Sequence, residues 1–320
     1  MIHQTPHELL QKGLITQDQF EKLESITSGK VLSVFYELRT LLYLGVMLFT
    51  TGAGLLIYQN IGELGHLISI ILLTAIMLVG FWYVHKQGAW YSNDRVAPPT
   101  PYFDYLLLAS ALLFVSIQGY AQIQYGVFDE HLDWSTLVTA AFFFYLAYRY
   151  DHLGILSLAI TALASFWSIR VSPQKWYSTD FFSDSNLHVT AIIFSILVGG
   201  VAFFLEKKKI KTHFAFTYYN FCLLIFFTGS VAGLFIDEQL YLLYAALIFG
   251  GCYFAWHQAS LRKSFLFLLY AFVAGYIATT YLLAETIFDL EPSLWFLYTL
   301  ASCGGFIYFI IKSKHLLKKK

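Results

Sequence analysis

Charge-free apolar stretches of about 20 residues recur along this chain, separated by short polar breaks. At 1.5 Å rise per helical residue, each is long enough to cross a hydrocarbon core of about 30 Å. In lipid the backbone must satisfy its own hydrogen bonds, so such a chain is restricted to an all-α, polytopic membrane helix bundle. Ten stretches fall near residues 40–60, 65–85, 103–123, 133–149, 153–170, 187–205, 213–236, 239–257, 264–284 and 293–311. Only 12% of the residues are charged, against roughly 25% in an ordinary soluble domain. A mean hydropathy of +0.61 over the full length excludes a soluble enzyme on a single anchor. The low charge density also excludes a disordered chain or a nucleic-acid-binding one.

The fourth stretch is the shortest. About 15 residues lie between Asp133 and Arg149 and reach about 22 Å, so the span needs Trp134 and a snorkelling Arg149 to extend it. The fifth follows directly after Tyr150, Asp151 and His152. A buried or re-entrant pair is the alternative reading there, leaving eight full spans.

Basic residues provide an independent test of the span count. With the N-terminus inside and strict alternation, all of the 20 Lys and Arg residues except Arg170 and Lys175 fall on the cytoplasmic side. The outer loops collect Glu63, Asp129, Glu130, Asp133, Asp180, Asp184, Asp237, Glu238, Glu285, Asp289 and Glu291. Ten spans with both termini inside are therefore expected. Losing the fourth and fifth together would leave this parity unchanged. The domain plan is a cytoplasmic helical hairpin at 1–38, a ten-span region at 39–312 and a basic cytoplasmic tail at 313–320. The first 39 residues are polar and hold no apolar core of a cleavable signal.

Residues 5–28 read as two short helices. Thr5, Pro6 and Glu8 form a capping box with proline at the first helical position, and Gly13 ends that helix. Thr16 and Gln19 form a second box. Leu9, Leu10, Leu14, Ile15, Phe20, Leu23 and Ile26 supply an apolar seam that calls for another surface. The segment LLQKGLITQDQFEKLESI, followed by a first span with Gly45, Gly52 and Gly54, resembles the opening of the domain-of-unknown-function-2157 family of bacterial membrane proteins. That resemblance implies a bacterial inner membrane and brings no activity with it.

Small residues recur mid-span about every 50 to 60 residues, each followed by aromatics: Ala140-Ala141, Gly199-Gly200, Gly250-Gly251 and Gly304-Gly305. Gly229 and Gly233 add a small-xxx-small pair in the seventh span. These eight glycines are expected to be helix-packing positions. Cys222, Cys252 and Cys303 each lie in an apolar run and suggest packing rather than disulfides.

Ionisable residues mid-span mark function in membrane proteins, and here Asp104, His66, His188, His213, His257 and Glu285 all fall near span ends. Gln118 and Gln122, four apart on one helix face, and Asn220 are the candidates for a polar path. Interhelical hydrogen bonding is the simpler role for all three. No motif for catalysis, a cofactor or a metal stands out. The expected function is a non-catalytic membrane scaffold or interaction protein whose hairpin binds a partner or a second copy. A permease for a small neutral or weakly polar solute is the alternative, with Gln118 and Gln122 on its route. The lipid bilayer is the expected medium, and no nucleic acid is expected as a partner.

Overall fold

The computed structural model describes residues 35–60, 63–128, 131–171 and 185–285, together with 16, 17, 20, 295, 298–302, 304 and 305. Nine long helices lie among the described residues: α1 (Phe35–Asn60), α2 (Glu63–Gln87), α3 (Phe103–Tyr125), α4 (Leu132–Tyr150), α5 (Leu153–Val171), α6 (Ser185–Lys208), α7 (Ala215–Ile236), α8 (Tyr241–Arg262) and α9 (Phe265–Leu283). Each coincides with one expected span. Residues 298–302 are helical and fall within the tenth.

Among the described residues, six helices are long and apolar enough to cross a membrane: Gly65–Gln87, Phe103–Tyr125, Leu153–Val171, Leu187–Lys208, Thr212–Ile236 and Phe265–Leu283. α1 adds a shorter apolar run, Thr40–Ala53. α4 and α8 are as long but less apolar. α4 carries Asp133 and Arg149, and α8 carries His257, Gln258, Tyr241, Tyr244, Tyr253 and Trp256 beside its aliphatic residues. α4 and α5 are each unbroken over 19 residues, about 28 Å at 1.5 Å per residue. They pack against each other as an antiparallel hairpin.

The chain forms two compact units, Met1–Trp82 with Tyr105–Tyr120, and Tyr83–Asp104 with Ala121–Lys320. In the first, Gly80 lies against Ser110, whose hydroxyl occupies the place a Cβ would take. Tyr43 meets Tyr105 with ring centroids 5.2 Å apart, and His66 Nδ1 is hydrogen-bonded to Tyr120 OH. The Phe20 N–H donates to the Thr16 carbonyl at 2.9 Å, the first helical bond expected after an N-cap at Thr16. The partners Glu8 and Gln19, and the rest of the hairpin, lie outside the described residues. So does the 313–320 tail.

Among the described residues, α4/α5, α6/α7 and α8/α9 pack as helical hairpins in the second unit. α7 is its centre and packs against α5, α6, α8 and α9. Within the spanning segments 44% of the α7 segment is buried, against 17–28% in the other five. Its small residues explain why it can occupy that place. A Cβ on Gly229 would lie 2.9 Å from the His188 carbonyl and 3.0 Å from Ala191 on α6, and one on Gly233 would overlap the Tyr244 ring of α8. Bare backbone at both positions lets three helices approach closely.

Candidate functional site

A buried ion cluster lies at one end of the helices of the second unit. α4 ends when Asp151 turns left-handed (φ 58°, ψ 38°) and its N–H bonds to the Ala147 carbonyl. Asp is among the few non-glycine residues that adopt this conformation readily. His152 then caps α5: its Nδ1 accepts the Ile155 N–H at 3.1 Å and its carbonyl accepts the Leu156 N–H. The two-residue turn projects the Asp151 carboxylate onto neighbouring connections. Oδ1 accepts from Lys211 Nζ at 2.8 Å and His213 Nε2 at 2.6 Å, and Oδ2 accepts from the Val96 N–H at 2.7 Å.

Lys211 reaches the carboxylate because it too is left-handed (φ 40°), and its N–H donates to the Asn93 carbonyl. The Asp151 and Lys211 side chains are 2% and 1% exposed. The rings of Tyr91 and Phe214 flank the ammonium, with centroids at 5.1 and 5.5 Å. Burial by itself would raise the Asp151 carboxyl. The bonds from Lys211, the Val96 amide and His213 outweigh it and hold the group below the usual carboxylate range. Nearby, Arg149 donates to the Ala89 carbonyl and lies over the rings of Trp90 and Tyr150. The α2–α3, α4–α5 and α6–α7 connections are thus tied to one another at a single end.

A second ion pair at that end joins Arg262 of α8 to Glu206 of α6. Arg262 Nε also donates to Gln258, and its guanidinium lies 4.6 Å from the centre of the Tyr219 ring of α7. Tyr219 donates to Glu206 at 3.2 Å. The basic connections Lys207–Lys211 and Arg262–Lys263 therefore share one end of this unit with Arg149.

The opposite end carries a different cluster. His188 Nε2 lies 3.0 Å from Asp237 Oδ2 and 2.7 Å from Tyr244 OH, and Tyr244 donates to the same carboxylate oxygen at 3.0 Å. This joins the start of α6, the end of α7 and the start of α8. The carboxylate can only accept, so His188 Nε2 is the donor in this contact. Arg170 of α5 pairs with Asp133 of α4 at 2.8 Å, which accounts for one of the two basic residues outside the charge alternation.

The residues singled out from the sequence take separate places. Gln122 accepts the Phe128 N–H at 2.6 Å through its side-chain carbonyl, fastening the end of α3. Gln118 is half-buried one turn earlier on the same helix. Asn220 accepts a hydrogen bond from Tyr270 of α9 at 3.1 Å. The eight glycines divide. Gly199 faces Cys222 Sγ, Gly229 faces α6, Gly233 faces Tyr244, and Gly251 faces the ring of Phe226, 2.5 Å from where its Cβ would stand. At Gly200, Gly250, Gly304 and Gly305 nothing lies within 4 Å of that point.

The local sequence does not join Asp151 to Lys211 and His213, or Glu206 to Arg262. The signal for the first was present: an acidic residue followed by His in a two-residue connection between apolar spans. Its partners lie 60 and 62 residues away, and no local pattern links them.

No curated protein and no solved structure matches the chain. The match to a family model extends the resemblance carried by the N-terminal segment through α1 to α4 and into the start of α5. This is a polytopic α-helical membrane protein whose residues 7–156 match DUF2157, a family described as predicted membrane protein.

Proposed function

We propose that this membrane protein is a non-catalytic, multi-pass scaffold or interaction protein of the bacterial inner membrane, with the basic end of its helices in the cytoplasm. The observation that carries the reading is the buried Asp151–Lys211–His213 cluster, which ties three connections together at that end. A face held by buried, fully engaged charges presents a constant surface to a partner. Polar groups within the helices are also engaged by neighbours: Asn220 by Tyr270, Tyr148 by Tyr218, and His188 by Asp237 and Tyr244. The seam of the N-terminal hairpin is the proposed contact, either with another protein or with a second copy.

The test is deletion of residues 1–30, followed by size exclusion and identification of co-purifying proteins after mild solubilisation. The spans should remain inserted, because Arg39 still flanks the first of them, and the complex should become smaller. A cysteine placed at Lys209, in a background lacking the native cysteines, should react only with reagent supplied from inside. Unchanged complex size and partners would refute the scaffold reading. Uptake of a small neutral solute by proteoliposomes, abolished by Gln122→Leu, would replace it with a permease.

A further inference from the structure

An apolar groove of about 510 Å³ lies between α6 and α8, with α7 as its floor. Ser195 and Gly199 form one wall, Gly250 and Phe254 the other, and Cys222 and Phe226 the base. The groove opens sideways, since Gly250 has only empty space where a side chain would stand. On α6 the same helix face continues from Gly199 through Phe203 to Glu206. On α8 it continues from Phe254 through Gln258 to Arg262. Both walls therefore lead to the Glu206–Arg262 pair, which bridges α6 and α8 over Tyr219.

That end is strongly basic. Lys207, Lys208 and Lys263 are exposed beside the bridge, and Lys208 rests against the Phe204 ring at 5.8 Å, a position suited to the headgroup level. Glu206 is taken up by Arg262. The bonds of Arg262 to Glu206 and Gln258 use Nη2 and Nε and leave its Nη1 side for an oxyanion. A single intramembrane groove thus joins an apolar slot to a cluster of cations.

We propose that this groove holds one anionic phospholipid, its phosphate at Arg262, Lys207, Lys208 and Lys263 and one acyl chain along the α6–α8 slot. The helix covers about 12 Å from Arg262 to Phe254, within the roughly 15 Å of one leaflet, so a chain anchored at the basic end reaches the slot. Charge selects the headgroup and the bare glycine wall admits the chain.

The full-length protein, reconstituted with equal amounts of phosphatidylglycerol and phosphatidylcholine and re-extracted in mild detergent, tests this by mass spectrometry of the retained lipid. Phosphatidylglycerol should be retained preferentially, at about one per chain. Lys207→Gln and Lys208→Gln should each lower the preference by roughly fivefold, the value of one cation near an anionic surface. Gly250→Leu should remove the retained lipid of either kind without lowering thermal stability, since nothing lies within 4 Å of the added Cβ. A retained ratio equal to the supplied mixture, or one untouched by the lysine variants, would overturn the proposal. So would a Gly250→Leu variant that changes oligomeric size instead of lipid content, because the groove would then be an interface. If Gly250→Leu unfolds, the lysine variants decide alone.

Discussion

Replacing Asp151 by Asn should destabilise the second unit severely, and the cause can be isolated. Asn keeps the size of the side chain and tolerates the left-handed backbone at this position (φ 58°). It also retains an oxygen for the Val96 N–H. What disappears is the charge facing Lys211, whose side chain is 1% exposed. Breaking a buried pair by removing one partner costs about 3–5 kcal/mol, chiefly because the other charge stays buried and uncompensated. Thermal or denaturant unfolding in mild detergent measures the loss. Lys211→Met in the same chain supplies the control: with both charges gone the double variant should be more stable than Asp151→Asn alone. The pH dependence follows from the same cluster. The carboxyl is held below its ordinary value in the fold, so its contribution is fully present above the unfolded-state pKa of about 3.9 and is lost as pH falls through the lower folded value. Wild-type stability should therefore drop more steeply below about pH 4 than that of Asp151→Asn. If Asp151→Asn unfolds within about 0.5 kcal/mol of wild type, the cluster is not the buried pair described here.

Gly251→Leu should cost roughly 1–3 kcal/mol by overpacking against Phe226, while Gly250→Leu next to it should cost little, and paired melting curves would separate them. Equal losses would mean that the two positions face alike. Asn220→Leu should lower stability by about 0.6 kcal/mol through the lost bond to Tyr270. Tyr270→Phe in the Asn220→Leu background should then add almost nothing, and an additive loss would show that the two side chains act independently.

The position, length and order of α1 to α9 were legible in the sequence because each span is decided within its own window. A stretch that cannot leave backbone groups unpaired in lipid becomes helical whatever its neighbours are. α1 to α9 accordingly follow the expected boundaries closely. Even the weakest case, α4, forms a full 19-residue helix. Which face of each helix turns inward was not legible, because these helices are apolar nearly all round and carry little amphipathic signal. Gly250 and Gly251 are neighbours in one motif, yet one faces Phe226 and the other open space. Only the packing of α8 on α7 separates them. The same holds for the polar groups. Asn220 reads as an amide near one end of its span, with no partner legible until α9 brings Tyr270 to it. Asp151 reads as a loop acid until two left-handed residues, about 60 positions apart, turn it and Lys211 toward each other. Hydropathy is a property of a segment and can be summed along the chain. A buried ion pair is a property of two backbone conformations meeting in space, and tertiary structure alone brought them together.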